Sequence, residues 1–209
     1  AFQEHRTGIA CAATLRALIE ARAPLDLIAL ASRFPLDEMV HVELCARMAM
    51  ELGGGTEIVH DPDVLIVDAD EELSPLLRAA DLVVRFFCVG EALSIPLLRG
   101  TWKAAQHPLP RAVLGRIVKD EAAHGTFGFA FLDWAVPELS ENDLAYLGRR
   151  ADRVIRSIHA QWNELKTRAS RPVRAGDPLA WMQTDEYLAL ADPNLALSHY
   201  FANSGYTPF

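Results

Sequence analysis

The feature that most constrains this chain is a five-residue pattern that occurs twice. Asp37-Glu38-Met39-Val40-His41 and Asp120-Glu121-Ala122-Ala123-His124 both read Asp-Glu-x-x-His, and both stand in segments with helical apolar spacing. On a helix, residues three apart share one face, so each Glu and His present a carboxylate oxygen and an imidazole nitrogen to the same point. Two such pairs set face to face would hold two metal ions, provided two further helices each add a Glu. A lone Glu-x-x-His is commonly just a solvated helix surface, so the extra carboxylates decide the matter.

The rest of the chain reads as helices joined by clear punctuation. Ile9, Ala12, Ala13, Leu15, Ala17 and Ile19 predict a first helix from residue 2 to about 22, with a turn at Pro24. A second helix is expected from about Leu25 to Leu52, either kinked or split at Pro35 and stopped by Gly53, Gly54 and Gly55. Residues 53 to about 72 look irregular, with a short β-like run from Val64 to Val67. That stretch is too long for a tight turn, but long enough to cross a bundle and reset the helix direction. A third helix is expected from about Leu73 to Ala105, bent by Pro96 and Gly100. Its middle is strongly apolar (Leu82, Val83, Val84, Phe86, Phe87, Val89), and Glu91 stands alone there. His107-Pro108-Leu109-Pro110 reads as a turn before a fourth helix from about Arg111 to Ala135. Ser140, with Asp143 three residues on, reads as the cap of a fifth, more polar helix ending near Arg168. Residues 170–209 form a tail rich in Pro, Asp and aromatic side chains, with a short helix expected near 178–190.

Residue counting brings the carboxylates to one height. From the turn at Pro24, Glu38 and His41 lie roughly 14–17 residues along, or about 20–25 Å of helix, and Glu4 lies a similar distance before it. From the turn at 107–110, Glu121 and His124 lie roughly 12–15 residues onward, and Glu91 a comparable distance back. Antiparallel helices would therefore put Glu4, Glu38, His41, Glu91, Glu121 and His124 on one level. Glu20, the other acid on the first helix, is too close to the turn.

On these residues the chain resembles the ferritin-like di-iron carboxylate superfamily, over residues 1 to about 135. The family order is a Glu from one helix, Glu-x-x-His from the next, a long crossover, Glu, then Glu-x-x-His. The Asp ahead of each Glu is similar to the form seen in the oxygenase and ribonucleotide-reductase-type branch. The resemblance implies an all-α, ferritin-like four-helix bundle with one long crossover, plus a fifth helix and a C-terminal tail. The whole of 1–209 is then one domain: bundle about 1–135, fifth helix about 140–168 and capping tail 170–209. It implies two iron ions, with manganese as the other option, held by Glu4, Glu38, His41, Glu91, Glu121 and His124. Asp37 and Asp120 would hydrogen-bond ligand imidazoles from outside, fixing their tautomer and orientation.

The donor set agrees with that chemistry. Hard carboxylates suit iron or manganese, and imidazole adds nitrogen without the softness of thiolate. Four carboxylates balance two divalent ions, which lets such a cluster sit in a dry core. Without ions, Glu38, Glu91 and Glu121 would be uncompensated charges in apolar helices, at several kcal/mol each; they are the expected catalytic carboxylates. The first function expected is a non-haem di-iron oxygenase or oxidase that uses O2 on a small organic substrate. No redox motif is present, so an external ferredoxin or flavoprotein would supply electrons. The second is a ferritin-like ferroxidase or iron-storage subunit, and the third a non-catalytic metal-binding helical module. A hollow shell of subunits favours storage; a monomer or homodimer favours the enzyme.

Composition removes other classes. The net charge of −8 opposes nonspecific nucleic-acid binding, which needs a basic face. No apolar run reaches the roughly 18–20 residues of a membrane span. The opening residues carry no secretory-signal pattern, and a helix already under way at Ala1 implies further residues upstream. Cys11, Cys45 and Cys88 are odd in number and lie in apolar helices, as reduced core thiols in a cytoplasmic protein do. Their absence of Cys-x-x-Cys spacing excludes a rubredoxin-type centre or zinc knuckle. His5, His60, His107 and His159 read as surface or capping residues. Arg85 reads as a surface salt-bridge partner, with a substrate carboxylate as the alternative. Gly125 and Gly128 read as points of close helix packing, with room for a substrate as the alternative.

Overall fold

The computed structural model describes residues 1–54 and 62–169, excluding the side chains of Pro62, Val64 and residues 162–169. Those residues form helices and connecting turns, with no strand among them. In chain order they are α1 (Phe2–Glu20), α2 (Leu25–Ala31), α3 (Phe34–Glu51), α4 (Pro75–Val83), a π-helical stretch (Val84–Glu91), α5 (Ala92–Ala104), α6 (Pro108–Ala135) and α7 (Glu141–Ala169). No helix among the described residues is long and apolar enough to cross a membrane.

Several boundaries differ from those the sequence suggests, and proline explains most of them. The segment from Leu25 splits rather than kinks, because Pro35 occupies the first turn of α3, where a missing N–H costs nothing. The expected β-like run at Val64–Val67 is instead a 3-10 turn, Pro62–Leu65. A single strand has no partner here to satisfy its backbone, whereas a proline-led turn satisfies its own. Residues 107–110 are not a free turn. His107 caps α6, its Nδ1 accepting from Leu109 N at 3.2 Å, and Pro108 begins the helix. The third helix is continuous from Pro75 to Ala104, yet its middle eight residues are π-helical. Ser140 caps α7 as expected: its hydroxyl accepts from Asp143 N at 3.2 Å, while the Asp143 carboxylate accepts from Ser140 N at 3.0 Å. The tail 170–209, with its expected helix, lies outside the described residues.

Four rods surround the core, each antiparallel to its neighbours. Going up α1 means going down α3: Glu4 meets His41, and Gly8 meets Glu38 and the carbonyl of Pro35. The rod α4–π–α5 runs against α6, since Gly128, Gly125 and Gly115 face Cys88, Ile95 and Trp102 in turn. A Cβ on Gly128 would stand 2.7 Å from Cys88 Sγ, and one on Gly125 would stand 2.6 Å from Ile95 Cδ1. Close packing, rather than open space, is thus the role of both glycines. Phe34, Phe87, Phe127 and Phe131 fill the core without exposure. α7 lies across the π stretch, packing Val154, Ile155 and Ile158 on Val89 and Leu93. Arg150 of α7 fastens it with two bonds to the buried carboxylate of Asp81, at 2.5 and 3.1 Å.

Candidate metal centre

The six residues that the motif and the residue count select come together where α1, α3, the π stretch and α6 meet. Two groups can be drawn in which the donor atoms all lie within 4.8 Å of one another: Glu4, Glu38, His41 and Glu121, then Glu38, Glu91, Glu121 and His124. Each group has three carboxylates and one imidazole. Glu38 and Glu121 belong to both, because each turns one oxygen to each imidazole. Glu38 Oε2 lies 3.6 Å from His41 Nδ1 and its Oε1 lies 3.1 Å from His124 Nδ1. Glu121 Oε1 lies 3.3 Å from His41 Nδ1 and its Oε2 lies 2.8 Å from His124 Nδ1. Glu4 and Glu91 close the two ends.

The setting is dry. Glu38, His41 and His124 are fully buried and Glu121 is 2% exposed. Phe34 packs at a tilt against His124 with ring centres 4.2 Å apart, and Phe87 and Phe127 pack behind it. Such burial demands that polar atoms be bonded. Instead, both oxygens of Glu38, Oε2 of Glu121, Nδ1 of His41 and both nitrogens of His124 have no hydrogen-bond partner. The short nitrogen–oxygen distances do not contradict this. The atoms crowd one another, but their angles are not those of donor and acceptor. They converge on common points, which is what ligands of a cation do.

The electrostatics say the same. Burial raises the Glu38 carboxyl, and burial with the charges of Glu121 and Glu38 raises Glu91 well above the usual range. Burial alone would lower the imidazoles, but Glu121 and Glu38 outweigh it, holding His124 up to about 10. His41 is raised in the same way by Glu121, Glu38 and Glu4. For Glu121, burial is again the largest influence, yet the two imidazoles overcome it and pull the acid down to about 2. The cluster thus sets four acids against two imidazoles and is rich in negative charge.

Asp37 and Asp120 sit on the outer side of the imidazoles and cross the bundle to do so. Asp120 Oδ2 is 3.3 Å from His41 Nε2, whereas Asp37 Oδ2 is 3.6 Å from His124 Nε2, beyond a hydrogen bond. Each is tied to an arginine four residues earlier, Arg33 at 2.7 Å and Arg116 at 2.6 Å. The motif reading overlooks these arginines, although both copies extend backward to Arg-x-x-x-Asp-Glu-x-x-His. It also overlooks Ser94, whose hydroxyl donates to Glu91 Oε2 at 2.9 Å. Here the signal was a hydroxyl residue three positions after the Glu, on the same face.

The remaining candidates fall away from the centre. All three cysteines are free, with Cys11 and Cys88 buried in the core. Burial pushes the Cys88 thiol up to about 12, so it packs rather than reacts. His60 lies outside the described residues, and His5, His107 and His159 belong to neither donor group. Arg85 is not a surface residue: its side chain is 16% exposed and bonds Asp81 Oδ2 and the Asp68 carbonyl.

No protein-family model, curated protein or solved structure matches this chain. Its chemistry is therefore read from the geometry alone.

Proposed function

We propose that this chain is a ferritin-like di-iron protein of the oxygenase or oxidase type, using O2 to oxidise a small organic substrate. The observation that carries the proposal is the set of buried, unbonded oxygens and nitrogens from Glu38, His41, Glu121 and His124, closed at its ends by Glu4 and Glu91. Two ferrous ions, or manganese in their place, would supply the electrons and open positions needed to reduce O2.

The side chains have distinct parts in this scheme. Glu38 and Glu121, each facing both imidazoles, would hold the ions together with His41, His124, Glu4 and Glu91. Four carboxylate charges offset four positive ones, so the centre stays near neutral in its dry surroundings. His41 and His124 would bind through Nδ1, which leaves Nε2 toward Asp120 and Asp37. Glu91 is raised by burial and by the charges of Glu121 and Glu38, and the Ser94 hydroxyl holds its Oε2 in place. Phe34, Phe87 and Phe127 keep bulk water from the His124 side. A ferredoxin or flavoprotein would deliver electrons from outside.

Catalysis is favoured over iron storage by a cavity of about 350 Å³ that Glu4, Glu38, Glu91 and Glu121 share with Leu93, Leu97 and Leu98. Apolar walls beside the carboxylates suit an organic molecule better than hydrated iron. Reconstitution with Fe(II) followed by elemental analysis tests the proposal: two ions per chain and O2 uptake on adding reductant are expected. Fewer than one ion per chain would overturn it. Two ions in a many-subunit hollow shell, with no dependence of O2 uptake on organic compounds, would favour storage.

A further inference from the structure

Beside the cavity at the carboxylates lies a second one of about 380 Å³. Gln3, Thr7, Phe86, Gly90, Ile158 and Gln161 line both, so the two adjoin. Gln3 and Gly90 each directly precede an end carboxylate, Glu4 and Glu91. The outer chamber differs sharply in charge from the inner one. Arg6, Arg85, Arg150 and Arg153 line it, with Asp68 as its acid.

Those arginines are unequally engaged. Arg85 and Arg150 share the single carboxylate of Asp81, which leaves them one charge in excess. Arg6 and Arg153 make no hydrogen bond or ion pair with another described residue. Four guanidiniums against Asp81 and Asp68 leave two net positive charges around one cavity, on a chain whose net charge is −8. Like charges are brought together here from α1, the π stretch and α7, at a cost in repulsion that an anion would relieve. Arginine also offers the forked donor geometry that carboxylates and phosphates accept in pairs. Inward of this mouth the walls turn apolar, at Phe86, Leu93, Leu97, Leu98 and Ile158.

We infer that the adjoining cavities bind an amphiphilic anion, with a carboxylate or phosphate head among Arg6, Arg85, Arg150 and Arg153 and an apolar body directed at the Glu/His cluster. That this molecule is the substrate rests on the metal-centre reading; the binding itself does not. The arrangement sets regiochemistry, because the far end of the body, not the carbon next to the head, reaches Glu91 and Glu4.

Calorimetric titration with octanoate, octyl phosphate and 1-octanol tests this. At least one of the two anions is expected to bind, the tighter naming the head group, and the neutral alcohol to bind more weakly. In the exposed double variant Arg6→Gln/Arg153→Gln, affinity should fall on the order of tenfold or more, as lost charge-assisted bonds at a partly solvated site require. Orientation is read separately: in protein loaded with Mn(II), the terminal methyl protons of octanoate should relax faster than its α-methylene protons. Absence of binding by both anions, equal affinity for the alcohol, or an unchanged double variant would overturn the site. Faster relaxation of the α-methylene would overturn the orientation. If the protein takes up no metal yet binds octanoate in an arginine-dependent way, the anion site stands and the metal-centre reading fails.

Discussion

Asp120→Asn separates a residue that would tune the proposed metal centre from one that merely decorates a helix. Asp120 Oδ2 lies between two partners, Arg116 Nε at 2.6 Å and His41 Nε2 at 3.3 Å. The arginine is 55% exposed, so solvent screens that pair strongly. His41 is fully buried, and its inner nitrogen is the one that faces Glu4, Glu38 and Glu121. The amide keeps the shape and can still accept one hydrogen bond, but it lacks the charge that raises imidazole basicity. Loss of such an outer partner typically weakens metal binding about 10–100-fold, or roughly 1.4–2.8 kcal/mol. Anaerobic Fe(II) titration against a competing chelator reads this directly, with thermal unfolding as the check on the fold. Arg116→Gln is the control: it removes the exposed partner and should shift affinity by no more than that pair is worth. Asp37→Asn should have the smaller effect of the two Asp variants, since its 3.6 Å approach to His124 is longer than a hydrogen bond. If Asp120→Asn binds iron as the parent does, Asp120 is only a charge on a helix, and the case for the catalytic branch over storage weakens.

Three further outcomes follow from the same geometry. Glu121→Ala removes the oxygens that face both imidazoles and should lose at least one ion per chain by elemental analysis, while Cys88→Ala keeps both; unchanged stoichiometry in Glu121→Ala would remove α6 from the centre. Gly128→Ala would place a methyl group 2.7 Å from Cys88 Sγ and 3.0 Å from Cys88 N, so denaturant unfolding should show a loss of about 1–3 kcal/mol; no loss would mean that α6 and the π stretch are not in such close contact. Metal-free protein should lose stability as pH rises. His124 is held up to about 10 in the fold, against about 6.5 when unfolded. A raised group stabilises fully below its unfolded value, and that contribution is lost as pH climbs through the folded one. Melting temperature should therefore fall between pH 7 and 10 after chelation, and fall less with Mn(II) bound, because a ligating imidazole carries no proton. A flat profile in the metal-free protein would refute the carboxylate–imidazole coupling.

What the sequence determined by itself is which Glu and His side chains cluster and at what level. Glu38 with His41, and Glu121 with His124, are local facts: three residues of helix bring them to one face whatever the surroundings. Glu4 and Glu91 were reachable because height along an antiparallel pair is a count of residues from the turn, and Glu91 stands out in an apolar run. The all-helical class followed from the same periodicity, and the cap at Ser140 from its own short-range bonds. Other features were hidden because they depend on contacts distant in the chain. The π stretch from Val84 to Glu91 leaves the apolar pattern unchanged, so nothing in the residue types announces it. Which oxygen of Glu38 or Glu121 faces which imidazole depends on rotamers set by the opposite helix. The pairing of Asp120 with His41, and the closer approach it makes than Asp37 to His124, are likewise decided across the bundle. Most dispersed of all is the arginine chamber, whose members stand at positions 6, 85, 150 and 153. Along the chain only Arg85 suggests a substrate carboxylate, and then only as the alternative to a surface salt bridge. Only the packing of α1 and α7 over the π stretch collects them, since charge density, unlike helical spacing, is a property of space and not of sequence.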